Sequence, residues 1–410
     1  MLGLKRGVAI KNTKKSAGIK IITADIPNEL VIPLRQHIGK EAKAVVKKGD
    51  YVKKYQLIGE ADGNISANIH ASSSGEVIAV EKRPTALGNI DCVVLKTDKK
   101  DFGEGFCTSG SNIDTIRTAG IVGMGGACFP THFKLKSGSS CDTFILNGCE
   151  CEPYLTGDLR VMIENGQEVI EGFKILMKTA GINKGIIGVE SKKAYESLKE
   201  IVDLHDDIEI RLLKAKYPQG AEKMLIYSLT GKIVPCGKLP GDVGVIVNNV
   251  STAKAVYDAL NGIPLVERVV TVSGQTNNPR NLLVRVGTKF SDLIQENYEK
   301  VIAGGPMMGT AISDLNVPVT KGNGGITLMK EDKTSYENCI RCSSCIEACP
   351  MNLMPARLAN YSALGMYDKA GEFYLNDCFE CGTCAYVCPC RIPIVQLIKT
   401  AKHEVKNADK

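Results

Sequence analysis

The chain has 410 residues, of which 44% are hydrophobic and 23% are charged, and its formal net charge is +6. This length exceeds one ordinary hydrophobic core and indicates two to four domains, while the absence of tryptophan argues against a stacking surface for nucleic acid. No apolar run reaches the ~18 residues of a transmembrane helix, and the basic N-terminus lacks the apolar core of a signal peptide, so we expect a cytoplasmic chain.

Residues 30–96 have the pattern of short strands, in which β-forming residues alternate with Gly and Asp turns. The segment resembles the barrel-sandwich fold of biotinyl and lipoyl carrier domains. A carrier needs an exposed lysine at a hairpin tip, and the corresponding stretch, ADGNISANIHA, contains none. We therefore predict that residues 1–100 form a barrel-sandwich hybrid-like domain with a structural role.

Residues 101–247 are predicted to form a Rossmann-like α/β domain. Short β-rich runs such as CDTFILNG and KGIIGVE alternate there with helical segments such as AYESLKEIVDLH, and this alternation favours a mostly parallel sheet. Residues 248–264 indicate one helix, and the β-rich stretch that follows looks like a small β-grasp module. We assign residues 248–330 to this third unit.

A glycine-rich loop, GIVGMGGACFPTHFK, lies near the start of the α/β region. Gly123, Gly125 and Gly126 would let the backbone approach a ligand and direct its amides at a phosphate. Lys134 could pair with that phosphate. A glycine-rich loop by itself is also typical of a simple turn. Phosphate binding by this loop is therefore a hypothesis that needs support from other residues.

A pair of carboxylates, Glu150 and Glu152, follows Asn147 at the end of a β-rich run. On a strand edge, side chains two residues apart face the same way, and these two could accept hydrogen bonds from a ribityl chain or from ribose hydroxyls. A solvated loop is the alternative interpretation.

Sixteen cysteines in a cytoplasmic chain indicate metal or redox chemistry. Two runs near the C-terminus, NCIRCSSCIEACP and DCFECGTCAYVCPC, share the spacing C-x2-C-x2-C-x3-C-P. In bacterial ferredoxins this spacing binds two [4Fe–4S] clusters, and the fourth cysteine of each run ligates the other cluster. The predicted ligand sets are Cys339, Cys342, Cys345 and Cys388 for one cluster, and Cys349, Cys378, Cys381 and Cys384 for the other.

Two zinc sites are the alternative, although zinc favours two separated ligand pairs. Cys390 matches no ligand position and is interpreted as a spare thiol. The segment between the runs is predicted to form two helices that pack over the clusters. We assign residues 331–410 to an α-helical, ferredoxin-type dicluster domain.

Several motifs occur together and in order: GMGGACFPTHFK, NGCECEPYLT, YPQGAEKMLIYSLTGK, NNVSTAKAV, GGPMMG and the two cysteine runs. From about residue 30 to 402, the chain resembles the C-subunit family of the Rnf ion-translocating ferredoxin:NAD oxidoreductase complex. Its middle domain is similar to the flavin subunit of respiratory complex I. The resemblance implies FMN, NAD(H) and two [4Fe–4S] clusters as cofactors and substrates.

The same resemblance implies a peripheral subunit on the cytoplasmic side of the membrane. Its partners would be the integral-membrane and iron–sulfur subunits of the complex, which couple electron transfer to ion transport and lead to ferredoxin. No nucleic acid is expected as a partner.

The resemblance also implies site residues, and none of them is a catalytic acid or base, because hydride transfer needs neither. Phe129 and Glu152 would contact NADH. The cofactor-binding residues carried over for FMN are Gly123, Gly125, Lys134, Asn147, Glu150, Glu222, Asn248, Asn249 and Thr252. Gly126 is a cofactor-binding candidate from the glycine-rich loop alone.

The chain departs from the flavin-subunit pattern at four positions in these motifs, Met124, Cys128, Cys149 and Ala221. Cys128 and Cys149 would be two thiols in the cofactor pocket, either as small buried side chains or with a redox role. The N-terminal segment RGVAIKNTKKSAG departs too, from the glycine–histidine–proline pattern of the Rnf family.

Two other functions remain open from the sequence. One is a soluble reductase of the same wider family that donates electrons to a corrinoid or amino-acid reductase system. The other is an electron-transfer module that binds two clusters and no flavin.

Overall fold

The computed structural model describes residues 3–11, 13–103, 105–108, 110–136, 140–296, 298–330 and 335–408. Strands and helices are numbered along the chain.

The N-terminal strands form two small antiparallel sheets, with strand orders β2-β8-β7-β4 and β3-β5-β6. Apolar side chains of both sheets, among them Leu30, Ile58 and Leu95, share one core, as expected for a barrel sandwich. The strands are β1 (Ile21–Thr23), β2 (Glu29–Pro33), β3 (Lys43–Ala44), β4 (Tyr51–Val52), β5 (Leu57–Glu60), β6 (Ile69–His70), β7 (Gly75–Thr85) and β8 (Gly88–Thr97).

The α/β region contains a parallel sheet of order β11-β10-β9-β12. Phe144 and Leu146 of β9 point into the larger apolar core, while Ile145 between them points into a second core on the other face of the sheet. Both faces are thus covered by helices, which confirms the predicted α/β sheet. The elements are α1 (Asn112–Thr118), α2 (Thr131–Lys136), β9 (Thr143–Gly148), α3 (Gly157–Glu164), α4 (Gly166–Ala180), β10 (Gly185–Val189), α5 (Lys192–Val202), β11 (Ile208–Leu212), α6 (Glu222–Thr230), a 3₁₀ turn (Pro240–Val243), β12 (Val245–Asn249) and α7 (Val250–Leu260).

Helix α7 is the helix predicted from residue 248 onward, and it packs inside the α/β core. Val250, Ala253 and Val256 lie in the same apolar cluster as the side chains of α4. The two helices touch closely at Gly172, where an added Cβ would lie 1.9 Å from the carbonyl oxygen of Ala253. This contact fixes the N-terminus of α7 at the edge of the sheet.

The third sheet is mixed and has the order β1-β14-β13-β17-β15-β16. Its outer strand β1 comes from the N-terminal segment and pairs in parallel with β14, Ile21 opposite Asn281. The segment before residue 24 therefore packs away from the barrel sandwich. The elements are β13 (Glu267–Gly274), β14 (Arg280–Arg285), α8 (Phe290–Leu293), β15 (Lys300–Ala303), β16 (Thr310–Ile312) and β17 (Gly325–Met329).

The C-terminal region is helical, and its core joins Leu358 and Ile398 to several of the cysteines. Helices α10 and α11 occupy the segment between the two cysteine runs, as predicted. The elements are α9 (Ser344–Ala348), α10 (Pro355–Ala363), α11 (Tyr367–Glu372), a 3₁₀ turn (Leu375–Asp377), α12 (Thr383–Tyr386) and α13 (Ile394–Ala408). Across the described residues, every helix is too short or too polar to span a bilayer.

Candidate functional site

The strand order of the parallel sheet creates a topological switch point between β9 and β12. From β9 the chain moves outward through β10 and β11, and then returns to β12 on the other side of β9. Asn147 is the penultimate residue of β9, and its register partner on β12 is Asn249. Ligands of open α/β sheets bind outside the carboxyl ends of the strands at such a point. Asn147, Asn248 and Asn249, all predicted site residues, therefore meet where a ligand is expected.

The glycine loop lies against the N-terminus of α7. The Met124 amide donates to Oγ1 of Thr252 over 2.9 Å, and a Cβ added at Gly125 would come within 2.8 Å of the Asn249 Cβ. At Gly126, in contrast, an added Cβ would meet no atom within 4 Å. The loop thus needs glycine at position 125 for packing, and presents an open surface at position 126.

We expect Gly125→Ala to displace the loop and Gly126→Ala to leave the free protein unchanged. The first variant forces a Cβ into Asn249, which costs stability in a packed contact, while the second places a methyl group in open space. Thermal unfolding should show a lower Tm for Gly125→Ala alone. Equal Tm values for both variants would contradict this packing.

The loop also closes on itself. The Gly123 amide donates to the carbonyl of Phe129 over 2.9 Å, and Cys128 between them adopts a left-handed φ of 53°. The ring of Phe129 is half-buried and contacts Phe133 edge to face, with ring centroids 5.7 Å apart. Phe129 therefore lies on the same loop as the glycines, as the resemblance implies.

A cation lies beside this edge of the sheet. The Lys134 ammonium is 2.8 Å from Oε1 of Glu222 and also donates to the carbonyl of Val247. Nearby, the side-chain amide of Asn147 donates from Nδ2 to the carbonyl of Gly220 over 2.8 Å. The structure thus brings together two predicted site residues, Lys134 and Glu222, from helices α2 and α6.

Asn248 has an unsatisfied buried donor. Its side chain is 4% exposed, and no described residue accepts a hydrogen bond from its Nδ2. An unpaired buried donor costs about 1–3 kcal/mol, so a polar ligand at this position would be stabilising. Together with the open surface at Gly126, this orphaned amide fits a bound FMN.

Asp158 and Ser251 contact the predicted site residue Asn249 and were missed from the sequence. The Asp158 carboxylate accepts from Nδ2 of Asn249 over 2.6 Å and from Oγ of Ser251 over 2.5 Å. Asn249 in turn caps α7 by accepting from the Ser251 amide. The only sequence signal for Asp158 is its place in the first turn of a helix that directly follows the acidic loop, residues 149–156.

The acidic loop differs from the strand-edge expectation. Strand β9 ends at Gly148, so Glu150 and Glu152 lie in a loop and face different partners. Glu150 accepts from the amides of Asp158 and Leu159 at the start of α3, each over 3.1 Å.

The Glu152 carboxylate instead binds the GGPMMG segment of the third sheet. It accepts from the amides of Met307 and Met308 over 3.1 and 2.8 Å. Burial raises the pKa of Glu150 to about 7 and also raises the pKa of Glu152. The two acids therefore connect the loop to two neighbouring elements.

Two buried cations support the glycine loop from the third sheet. The Arg268 guanidinium donates to the carbonyls of Met124 and Lys321 over 2.7 and 2.6 Å. The Lys321 ammonium is buried and donates to the carbonyls of Asn68 and Gly120, each over 2.8 Å. These contacts join three regions of the chain, and nothing in the sequence pattern indicated them.

The pH dependence of stability should reveal Lys321. Burial lowers its pKa from 10.5 to about 7, so between these pH values the unfolded chain binds the proton that the folded chain has lost. Stability from this group therefore rises as pH increases from about 7 to 10.5. We expect Lys321→Met to lack that rise when urea unfolding is compared with the unsubstituted protein across this range. A parallel pH profile for the two proteins would contradict the assignment.

The two thiols of the predicted cofactor pocket differ in their surroundings. Cys149 is buried in the apolar cluster behind the sheet, with Ile145 and Leu225, and burial raises its pKa well above the ordinary value. Cys128 is on the glycine loop, and a Cβ added at Gly322 would meet its Sγ at 2.3 Å. Burial also raises the pKa of Cys128, although the charges of two nearby cations oppose the shift. The contacts of Cys149 match those of a small buried side chain.

Four cysteines surround one cavity in the C-terminal region. The cavity is small, about 20 Å³, and its cysteine lining consists of Cys349, Cys378, Cys381 and Cys384. These residues are the predicted ligand set of one cluster, even though Cys349 belongs to the first run. No three His, Cys, Asp or Glu side chains within the described ranges are arranged for a single metal ion.

The other predicted ligand set is nearer the surface. Burial raises the pKa of Cys345, and the neighbouring thiols of Cys342 and Cys388 raise it further. Cys339 and Cys342 are exposed. Cys345 and Cys388, which belong to different runs, are therefore close enough to interact electrostatically.

The cysteine region docks on the α/β region next to the acidic loop. The Tyr217 hydroxyl donates to the carbonyl of Cys381 over 2.6 Å, and both residues share an apolar cluster with Val8, Cys151 and Met307. Residues of the acidic loop, the GGPMMG segment and the cavity are therefore in one cluster.

Comparison with known families matches three consecutive parts of the chain. Residues 2–100 match the RnfC barrel sandwich hybrid domain, residues 116–258 match the Nuo51 FMN-binding domain, and residues 338–392 match a 4Fe–4S dicluster domain. These matches define an FMN-binding, iron–sulfur electron-transfer subunit, and confirm the predicted cofactor classes.

Similar curated proteins share nearly the whole chain. The C subunit of the proton-translocating ferredoxin:NAD+ oxidoreductase complex of Clostridium ljungdahlii is 46% identical, covering 98% of this chain and 94% of its own length. The C subunit of the Na+-translocating complex of Acetobacterium woodii is 40% identical, covering 92% and 91%. The chain therefore belongs to the family of C subunits of ion-translocating ferredoxin:NAD+ oxidoreductase complexes, which confirms the predicted family.

Other relatives differ in length or share only the fold. The C subunit of the ion-translocating oxidoreductase complex of Edwardsiella ictaluri is 38% identical over 96% of this chain, which spans about half (52%) of that relative. A chain of the NAD+-reducing [NiFe]-hydrogenase in the H2-reduced state superposes with a TM-score of 0.53 at 18% identity, covering 71% of this chain and 62% of that one.

Proposed function

We propose that this chain passes electrons between NAD(H), FMN and two [4Fe–4S] clusters toward ferredoxin, while partner subunits couple the transfer to ion transport. The observation that carries the proposal is the contact between Tyr217 and Cys381, 2.6 Å from hydroxyl to carbonyl. It supports the proposal because Cys381 then adjoins the acidic loop through Cys151 and Met307.

In this proposal the chain's own residues bind FMN and NADH and orient them. Lys134 and the amides of Gly125 and Gly126 hold the FMN phosphate, while Gly123 keeps the loop closed through its hydrogen bond to Phe129. The side-chain amide of Asn248 donates to the flavin. When bound, FMN supplies the exchange between the two-electron chemistry of NAD(H) and the one-electron chemistry of the clusters. Glu222 orients Lys134 through their 2.8 Å ion pair.

The remaining proposed binding residues contribute an aromatic ring and carboxylates that accept hydrogen bonds. Phe129 stacks on the nicotinamide or adenine side of NADH. Glu150 and Glu152 already accept two amide hydrogen bonds each, but a carboxylate has about four lone-pair sites, so both can still accept from hydroxyls. The last proposed FMN-binding residues lie at the strand ends and at the N-terminus of α7, and their side chains also bond the backbone there. They are Asn147, Asn249 and Thr252.

We also propose the finer organisation of the chain. The third sheet is an SLBB-like β-grasp module, and the α/β region is Rossmann-like. We keep the four-domain division at residues 100, 247 and 330, except that α7 is assigned to the flavin domain because it packs on α4. The chain is a peripheral subunit on the cytoplasmic side of the membrane, held by integral-membrane and iron–sulfur subunits.

Anaerobic purification followed by NADH addition tests the function. We expect about eight irons per chain, from two clusters of four, together with FMN or its uptake on addition. NADH should then bleach the flavin and cluster absorbance. Clusters that stay oxidised even with added FMN would instead support the flavin-free electron-transfer module. Recovery of the native protein in the cytosolic fraction, free of membranes, would support the soluble reductase.

A further inference from the structure

Lys14 reaches the acidic loop from the N-terminal segment. Its ammonium donates to the carbonyls of Glu150, Glu152 and Leu155, with 2.9 Å to that of Glu152. An ammonium has three donors and no acceptor, so three converging carbonyls match its hydrogen-bonding capacity. Through these three carbonyls, Lys14 binds the backbone of the acidic loop.

The residues around Lys14 are anchored to the same part of the protein. The Tyr154 amide donates to Oγ1 of Thr13 over 3.2 Å, and the hydroxyls of Ser16 and Thr156 are 2.6 Å apart. The segment therefore contacts the loop on both sides of Lys14, which fixes the origin of the lysine side chain.

Lys14 also places a positive charge near buried acids of this region. Burial raises the pKa of Glu150, Glu152 and Glu190, and the charge of Lys14 opposes the shift in each case. A carboxylate in a buried site needs such a partner to stay ionised. One lysine thus supplies hydrogen bonds to the loop backbone and a positive charge to three carboxyl groups.

We propose that Lys14 is a positioning residue of the FMN and NADH site, contributed from outside the FMN-binding domain. By holding three carbonyls of the acidic loop, it keeps the loop in the conformation in which Glu150 and Glu152 meet their ligands. The inference rests on the proposed function, since FMN and NADH are the ligands of that site.

Three variants of the full chain test this role: Lys14→Met, Lys14→Arg and, as the matched control, Lys15→Met. Lys15 is exposed and is the next residue along the chain. Amide hydrogen exchange at residues 154–159 of the ligand-free protein reports loop order, and FMN titration reports affinity. We expect Lys14→Met to speed exchange there and to weaken FMN binding about tenfold or more, because a hydrogen-bonded charge is lost. Lys14→Arg should retain most of both properties, and Lys15→Met all of them.

A role in packing alone predicts the reverse order, since methionine fits the space of the lysine stem better than arginine does. Better exchange protection and FMN affinity in Lys14→Met than in Lys14→Arg would therefore overturn the proposal, as would a Lys14→Met protein identical to the Lys15→Met control. If the unsubstituted protein binds no FMN, the proposed function fails, and the exchange measurement alone still decides whether Lys14 orders the loop.

Discussion

Replacing Lys134 with alanine is expected to weaken FMN binding by about 10–100-fold and to leave the iron content unchanged. Lys134 is the cation at the carboxyl edge of the parallel sheet, where it pairs with Glu222. A hydrogen bond to a charged group contributes about 1.5–3 kcal/mol, which corresponds to that range of affinity. Quenching of FMN fluorescence measures the affinity, and iron analysis of the same sample measures the clusters.

Lys136→Ala is the matched control, because Lys136 is exposed on the same helix. It should bind FMN as the unsubstituted protein does. If Lys134→Ala loses FMN and iron equally, the substitution has unfolded the chain or the loop has been misplaced, and the role of Lys134 as a phosphate ligand fails.

Replacing Cys349 with serine is expected to remove about half of the iron, and specifically the cluster held by the second cysteine run. Cys349 lies in the first run, but it lines the same cavity as Cys378, Cys381 and Cys384. Loss of one thiolate ligand should destabilise the cluster at that cavity. Iron per chain and the electron paramagnetic resonance spectrum of the dithionite-reduced protein measure the change.

The test of the crossing is a comparison of spectra. Cys349→Ser and Cys378→Ser should lose the same signal, whereas Cys388→Ser and Cys345→Ser should lose the other one. Cys390→Ser, the control, should keep all the iron. Ligand sets that follow the two runs, with Cys349 and Cys345 variants losing the same signal, would refute the crossed assignment. FMN binding should persist in each variant, because the FMN-binding residues lie before residue 258.

Features with a local physical cause could be predicted from the sequence. The cysteine spacing is set by the reach of short loops around one cluster, so it yields a predicted ligand set without knowledge of the fold. Four of those cysteines line one cavity in the structure. The parallel sheet followed from alternating β and α patterns, and Lys134 and Glu222 were placed in the site by family motifs. The structure then brings these two side chains to 2.8 Å, a contact between residues 88 positions apart.

Features that depend on distant segments could not be predicted. The spacing of Glu150 and Glu152 suggested one face of a strand, but the amides at the start of α3 and in the GGPMMG segment draw the two carboxylates apart. Buried Lys321 and Arg268 bind backbone carbonyls, and a carbonyl leaves no trace in the sequence. The role of Lys14 could not be predicted for the same reason, because its partners are backbone carbonyls. In the sequence, its segment is notable only for departing from the N-terminal pattern of the family.

The parallel pairing of β1 with β14 has a consequence for synthesis. Ile21 faces Asn281 in this pair, so the ribosome adds about 260 residues between the two partners. At about 5–20 residues per second, the N-terminal segment waits on the order of 10–50 s before its strand partner exists. Throughout that interval β1 has an unpaired strand edge, and such an edge is a site for aggregation of the nascent chain.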